Sequence, residues 1–286
     1  MKKSMRIRIF LGTVMILVLS GLLVLDWWLE QIRPQVVAGW LMAAIVLPMG
    51  VLAFGELSRL AGGAGVRLMP ASGYAGVLLI GFIPFFRQLY GGGSGAWTLP
   101  VCSLVLMGIF AEQMIRRRAL GVFQQVGATV LGVLYVGLGI SLLMAIRLDF
   151  GIPALTVFLA GVKFTDIGAY FTGSAWGRHK MVPWLSPGKS WQGLAGGLAA
   201  GMAACVLFGT VLGLPLGIWQ LLILGVLLAT AGQFGDLCES LLKRSATFKD
   251  SADMLPEFGG LLDVIDSPLM AAGVGYVMLS LLWGAS

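Results

Sequence analysis

Apolar runs of roughly 20 residues recur along most of the chain, separated by short polar stretches; as a helix, such a run crosses a hydrocarbon core of about 30 Å. The runs lack the period-two alternation of a membrane barrel strand, whereas a helix satisfies its own backbone hydrogen bonds in lipid. The pattern therefore predicts an all-α, polytopic membrane protein. Nine spans are expected, at about 8–27, 36–56, 73–90, 96–114, 119–146, 152–173, 191–213, 217–240 and 267–284. Pro84 and Arg87 interrupt the third, which is the least regular. MKKSMRIRIF precedes the first run in the manner of a signal peptide, but no A-x-A-like site follows, so the run reads as an uncleaved span.

Composition agrees. Hydrophobic residues make up 58% of the chain and charged residues 11%, against about 25% charged in a soluble domain. Forty-two glycines spread through the spans point to close helix packing, because small residues let backbones approach where lipid gives no hydrophobic drive. Cys102, Cys205 and Cys238 stand singly, without metal-ligand spacing or a disulfide framework. With a cytoplasmic N-terminus, fifteen of the nineteen Lys and Arg residues fall in inner segments, as short cytoplasmic loops require. Arg33, Arg87 and Arg147 fall in outer loops and Lys163 inside a span. The net charge of +6 then reflects topology and attraction to anionic lipid, and no nucleic-acid partner is expected. One integral membrane domain is read over 1–286: scaffold spans to about residue 150, then a catalytic region at 160–270 with two cytoplasmic loops.

The scaffold half offers little chemistry. Asp26, Glu30 and Asp149 read as interfacial loop charges, and Glu56 and Glu112 as helix-end partners of Arg59 and Arg116. Arg116, Arg117 and Arg118 read as a cytoplasmic anchor.

One stretch breaks the apolar pattern. Seven of thirteen acids (Asp236, Glu239, Asp250, Asp253, Glu257, Asp263, Asp266) and three bases (Lys243, Arg244, Lys249) lie between Gly235 and Asp266. Carboxylates at membrane depth are costly unless they pair or hold a cation. At helical spacing Asp236, Glu239, Ser240 and Lys243 share one stripe, suited to a cation together with phosphate. Ser267 reads as an N-cap with Pro268 in the first turn, which sets Asp263 and Asp266 just ahead of the last helix. A solvated charge run joining two spans is the plainer account, but Asp236 and Asp266 fall at span ends rather than in mid-loop. Hard oxygen donors beside phosphate-binding bases suit Mg²⁺, and a single histidine argues against zinc. Upstream, Lys163 and Asp166 share a helix face and either neutralise each other or join the site. The loop FTGSAWGRHKMVPWLSPGKSWQGLAGG interleaves glycine with Arg178, Lys180 and Lys189 as a phosphate cradle, with His179 as a loop residue.

These residues resemble the phosphatidate cytidylyltransferases. That family carries a C-terminal signature matched in register by Ser240, Lys243, Arg244, Lys249, Asp250, Ala252, Leu255, Pro256, Gly259, Gly260, Asp263 and Asp266. Gly235, Asp236 and Leu237 match its G-D-L, and Asp166, Gly168, Ala169 and Tyr170 look like its D-x-G-A-Y. Ser186 through Gly193 is similar to its S-P-x-K-[TS]-W-[EQ]-G. The chain departs from the pattern at Phe258, where the family has histidine, and at Val264, where it has arginine. Lys163 stands where the family is usually apolar or aromatic, and is expected to supply the charge missing at Val264.

The resemblance implies transfer of CMP from CTP to phosphatidate, giving CDP-diacylglycerol and pyrophosphate at the cytoplasmic face of a bacterial-type inner membrane. By carry-over Asp236 and Asp266 are the central metal-binding carboxylates for Mg²⁺, with or without a second cation, and Asp263 is either a further ligand or the support of one. Lys243, Arg244, Lys249, Lys189 and Arg178 bind phosphates, with Ser186, Ser240 and Asp166 completing the site. A divergent or inactive relative acting on another lipid phosphate is the nearest alternative. A transporter or lipid-binding protein is a more distant one, disfavoured by charges gathered on one side and by the lack of an inverted repeat. The first five spans serve either as a lipid-facing scaffold or as a homodimer contact.

Overall fold

The computed structural model describes residues 3–32, 39–91, 94–246 and 259–283. Its helices are α1 (Lys3–Ile32), α2 (Trp40–Gly63), α3 (Pro70–Gly81), α4 (Ile83–Tyr90), α5 (Ser94–Arg116), α6 (Val122–Gly132), a π-helical segment (Val133–Leu138) and α7 (Gly139–Trp176). Two short strands, β1 (Lys180–Val182) and β2 (Ser186–Ser190), then lead to α8 (Trp191–Val211), α9 (Ile218–Ser245) and α10 (Leu261–Trp283).

Among the described residues six helical stretches are long and apolar enough to cross a membrane, or seven if the bent pair α3 and α4 counts as one. That pair, at the irregular third predicted span, bends by 46° with Pro84 in the first turn of α4. One of the six, Val122–Trp176, has 55 residues, about 80 Å at 1.5 Å per residue and far more than one crossing. It breaks at Gly151, where φ is 80°, a conformation glycine adopts without strain, and Pro153 follows without an N–H to donate. The spans expected at 119–146 and 152–173 lie on either side of this break, and the one expected at 8–27 lies within α1. The last helix begins at Leu261, six residues ahead of the expected start, so Asp263 and Asp266 are inside it rather than before it. Its early start has a physical cause: the backbone amides of Leu261 and Leu262 are taken up by the Glu56 carboxylate of α2.

Helices α7 to α10 form the bundle that holds the site, with α7 and α8 in the most extensive contact. Small residues make this approach possible. A Cβ at Gly168 would lie 2.8 Å from the Gly196 carbonyl, and one at Gly197 would lie 2.9 Å from that of Thr165. Large apolar side chains left exposed, such as Leu104, Met107, Ile115, Val211 and Trp219, suit a lipid surround.

Several charge assignments differ from the expected ones. Asp26 and Arg147 are not loop charges: Arg147 is 2% exposed, and its Nε donates to Asp26 Oδ2 at 2.6 Å and its Nη2 to Glu30 at 3.0 Å, tying α1 to α7. Asp149 joins Arg87 and Tyr276 in a second cluster. Glu112 does pair with Arg116 at 3.0 Å, but it also accepts from the Ala71 and Ser72 amides at the start of α3. Both Glu56 and Glu112 therefore cap the N-terminus of another helix, where backbone N–H groups lack intrahelical partners and the helix dipole favours an anion.

Candidate functional site

The glycine-rich loop expected between the sixth and seventh spans is a small antiparallel hairpin, with Lys180 opposite Ser190 and Val182 opposite Ser186 across a bulge. It closes on α8, where the Ser190 hydroxyl caps the helix by accepting from Gly193 N at 3.1 Å. His179 is held in the same corner by Gln192 at 2.8 Å. On the other side, α9 and α10 touch at Gly235, where a Cβ would lie 2.9 Å from the Asp266 carbonyl. Any larger residue at 235 would push apart the two helices that carry the acids.

Between the end of α7, the hairpin, α8, α9 and α10 lies a cleft of about 690 Å³. Of the predicted site residues, Asp166, Lys189, Asp236, Asp263 and Asp266 line it, and Gln233, Lys180 and Ser190 join them. Lys189 Nζ sits 2.6 Å from Asp236 Oδ2 and donates to the Gln233 carbonyl at 3.1 Å. The Gln233 side chain donates to Asp166 at 3.2 Å, so one chain of contacts joins α7, β2 and α9.

The stripe on α9 is present as expected, but its charges are shared differently. Asp236, Glu239 and Asp266 each offer an oxygen within 4.8 Å of the other two, the one such group of potential metal ligands among the described residues. Asp263, which shares Lys243 with Glu239, has its two oxygens accepting from Lys243 Nζ at 2.9 Å and from Gly260 N at 2.7 Å. Lys243 in turn lies 2.5 Å from Glu239 Oε2. Glu239 is 1% exposed, and its other oxygen is buried with no hydrogen-bond donor among the described residues. An orphaned carboxylate oxygen beside two further carboxylates is a donor set that a hard divalent cation would complete. Asp266, 3% exposed, accepts from Ser267 N at 2.6 Å. Tyr135, on the π-helical segment, has a buried hydroxyl without a partner among the described residues, within the electrostatic reach of Asp266, Glu239 and Asp236.

Other predicted residues fall outside the cleft wall. Arg178 is exposed beside the hairpin, Ser186 opens β2, and Arg244 Nε donates to the Leu185 carbonyl at 3.3 Å, holding the hairpin to α9. Lys243 and Ser240 lie on α9 behind the lining residues. Lys249 and Phe258 lie outside the described residues. Lys163 reaches the position of the second departure from the signature: its Nζ donates to the backbone carbonyl of Val264 at 2.7 Å and lies 3.8 Å from Asp166. That carbonyl is the one Pro268, four residues on and lacking an N–H, cannot serve.

The sequence sets Glu239 on the cation-suited stripe of α9, though not among the carried-over ligands. Gln233 escapes the sequence reading, because its importance comes from contacts with two other elements.

Fold and site together define a polytopic membrane protein with a carboxylate- and lysine-lined cleft at one end of its bundle. Comparison with known proteins is consistent with this class. Residues 6–282 match the model of the cytidylyltransferase family, so the chain belongs to that family. A relative named phosphatidate cytidylyltransferase from Bacillus subtilis is 31% identical over 240 residues, 83% of this chain and 88% of its own length. A protein of the same name from Mycobacterium bovis is 31% identical over 239 residues, 76% of each chain. The Brucella suis protein of that name is 40% identical over 148 residues, 51% of this chain and 54% of its own.

Proposed function

We infer that this protein is a phosphatidate cytidylyltransferase, which transfers CMP from CTP to phosphatidate and releases pyrophosphate. Membership of the cytidylyltransferase family carries the reading, and the names of its relatives give the acceptor. In the reaction a phosphate oxygen of phosphatidate forms a bond to the α-phosphorus of CTP as the bond to the bridging oxygen of the β-phosphate breaks. That oxygen is already anionic, so the site needs no strong general base. The barrier is the meeting of two anions and the charge that develops between them, which fixed cations relieve.

Lys189 and Lys180, both in the cleft wall, are suited to the phosphates of CTP. Asp236, Glu239 and Asp266 would hold Mg²⁺, which when bound neutralises phosphate charge. Asp263 acts through Lys243, fixing the ammonium that faces Glu239. Asp166 and Gln233 hold the Lys189 side of the cleft in place. The bias of Lys and Arg towards one set of loops supports a site facing the cytoplasm of an inner membrane. There CTP arrives from solution and phosphatidate from the adjoining leaflet.

The test is release of pyrophosphate from CTP by the purified protein in detergent, with phosphatidate and Mg²⁺ supplied or withheld. Release that needs all three, and that falls by orders of magnitude in folded Asp236→Asn and Asp266→Asn, is the expected outcome. Release without phosphatidate, or none from folded wild-type protein, would refute the reading.

A further inference from the structure

We propose that Glu56, in the half of the chain without cleft residues, is a positioning residue for the carboxylate cluster, acting as an N-terminal cap on α10 supplied by α2. Glu56 is 6% exposed, and its two oxygens accept from Leu261 N and Leu262 N at 2.9 Å each. Those are the first amides of α10, which have no acceptor within their own helix. The preceding amide, Gly260 N, goes to Asp263 Oδ2 at 2.7 Å. Three consecutive amides are thus held by two carboxylates, and the second of these continues through Lys243 to Glu239.

The turn fixed in this way carries Asp263 and leads directly into Asp266. Across the helix pair, Gly235 faces the Asp266 carbonyl so closely that α10 has no room to slide towards α9. Glu56 controls the remaining freedom, rotation and fraying of the first turn, and hence where the Asp266 oxygens stand relative to Asp236 and Glu239. A bidentate acceptor is required for this, because one oxygen on one amide would leave the turn free to pivot. Glu112 provides an internal contrast. It caps α3 by accepting from Ala71 N and Ser72 N, yet α3 contributes nothing to the cleft.

The proposal rests on the catalytic reading, and the test separates the two. Full-length wild-type, Glu56→Ala, Glu56→Gln and Glu112→Ala proteins are compared in detergent by hydrogen exchange over 259–265, by Mg²⁺-dependent thermal stabilisation without substrates, and by turnover. Glu56→Gln keeps the shape and one acceptor, so it reports should Glu56→Ala fail to fold. Expected are faster exchange at 261 and 262, a Mg²⁺ midpoint raised about 10-fold or more in Glu56→Ala and less in Glu56→Gln, and a fall in kcat that exceeds any change in KM for phosphatidate. Glu112→Ala should lower thermal stability while keeping the wild-type Mg²⁺ midpoint. Unchanged exchange over 259–265 in either folded Glu56 variant would overturn the proposal, as would an equal Mg²⁺ shift in Glu112→Ala. Wild-type protein without Mg²⁺-dependent turnover would instead refute the catalytic reading, and the exchange comparison would still decide the cap.

Discussion

Replacing Lys163 by methionine tests how the last helix tolerates a proline one turn into the site. Pro268 has no N–H, so the Val264 carbonyl loses its ordinary partner, and Lys163 Nζ takes it at 2.7 Å. A hydrogen bond from a charged group is worth about 1.5–3 kcal/mol net. The second contact of Lys163, with Asp166 at 3.8 Å, joins side chains each a third exposed and adds at most about 1 kcal/mol. Lys163→Met should therefore destabilise the protein by about 2–3 kcal/mol, mostly through the carbonyl. Because Asp266 lies between 264 and 268, turnover should fall about 10- to 100-fold, as when the support of a ligand is removed. The decisive arm is Lys163→Met with Pro268→Ala, in which alanine restores the N–H that the carbonyl lacks. Thermal unfolding and pyrophosphate release should then recover most of the loss. If the double variant is no better than Lys163→Met, the lysine acts by charge on Asp166 and Asp266, as its place opposite Val264 in the signature suggested, and the backbone argument is wrong. Wild-type behaviour of Lys163→Met would sink both accounts.

Three further outcomes are expected. Glu239→Gln should raise the Mg²⁺ midpoint about 10-fold or more, whereas Asp263→Asn should mainly lower thermal stability; the reverse order in a Mg²⁺ titration of both would reject the ligand group Asp236, Glu239 and Asp266. Lys189→Met removes the ammonium 2.6 Å from Asp236 and should reduce kcat/KM for CTP by about 100-fold with little change in the KM for phosphatidate, a pattern that steady-state kinetics would contradict if phosphatidate suffered instead. Arg147→Met leaves Asp26 buried without its partner and should cost about 3–5 kcal/mol in unfolding while turnover per folded molecule is kept, so loss of turnover in folded protein would show coupling between the two ends of the bundle.

The polytopic helical class was legible because hydrophobic length is a one-dimensional signal, and so was the charged stretch from Gly235 to Asp266, because lipid makes every such residue conspicuous. What the sequence concealed were relations across the chain. Glu56 and Leu261 are 205 residues apart, and nothing in either neighbourhood announces that a carboxylate of α2 caps α10. That contact is also why the last helix starts at Leu261 rather than at Ser267, whose serine–proline pair mimics a helix start. Arg147 read as an outer-loop base because the break at Gly151 and the burial of Asp26 against it belong to packing. The different surroundings of Asp263 and Glu239 were hidden for a similar reason. Spacing sets both on the correct faces, but only the position of Lys243 between them decides which carboxylate is tied down and which keeps an oxygen open.

The distribution of charge separates the carboxylate cluster in the cleft from the one around Arg147. Arg147 meets a single buried acid, with Glu30 half-buried at the rim, so the pair is close to neutral. At the cleft three carboxylates approach within 4.8 Å, and at an effective dielectric of about 20 any two that are ionised together repel by roughly 3.5 kcal/mol or more. Lys243 offsets part of this at Glu239 and Lys189 part at Asp236, but Asp266 has no salt bridge among the described residues and is 3% exposed. A buried carboxylate in that position is a standing loss of several kcal/mol unless a proton or a cation balances it. A divalent cation could use the oxygens of Asp236 and Glu239 as well, whereas a proton is shared between two carboxyl groups at most. Packing alone would be served better by an apolar residue at 266. The fold keeps an acid there, caps its helix from 205 residues away and mends the carbonyl that Pro268 leaves open, an arrangement that supports the cation and phosphate site proposed above.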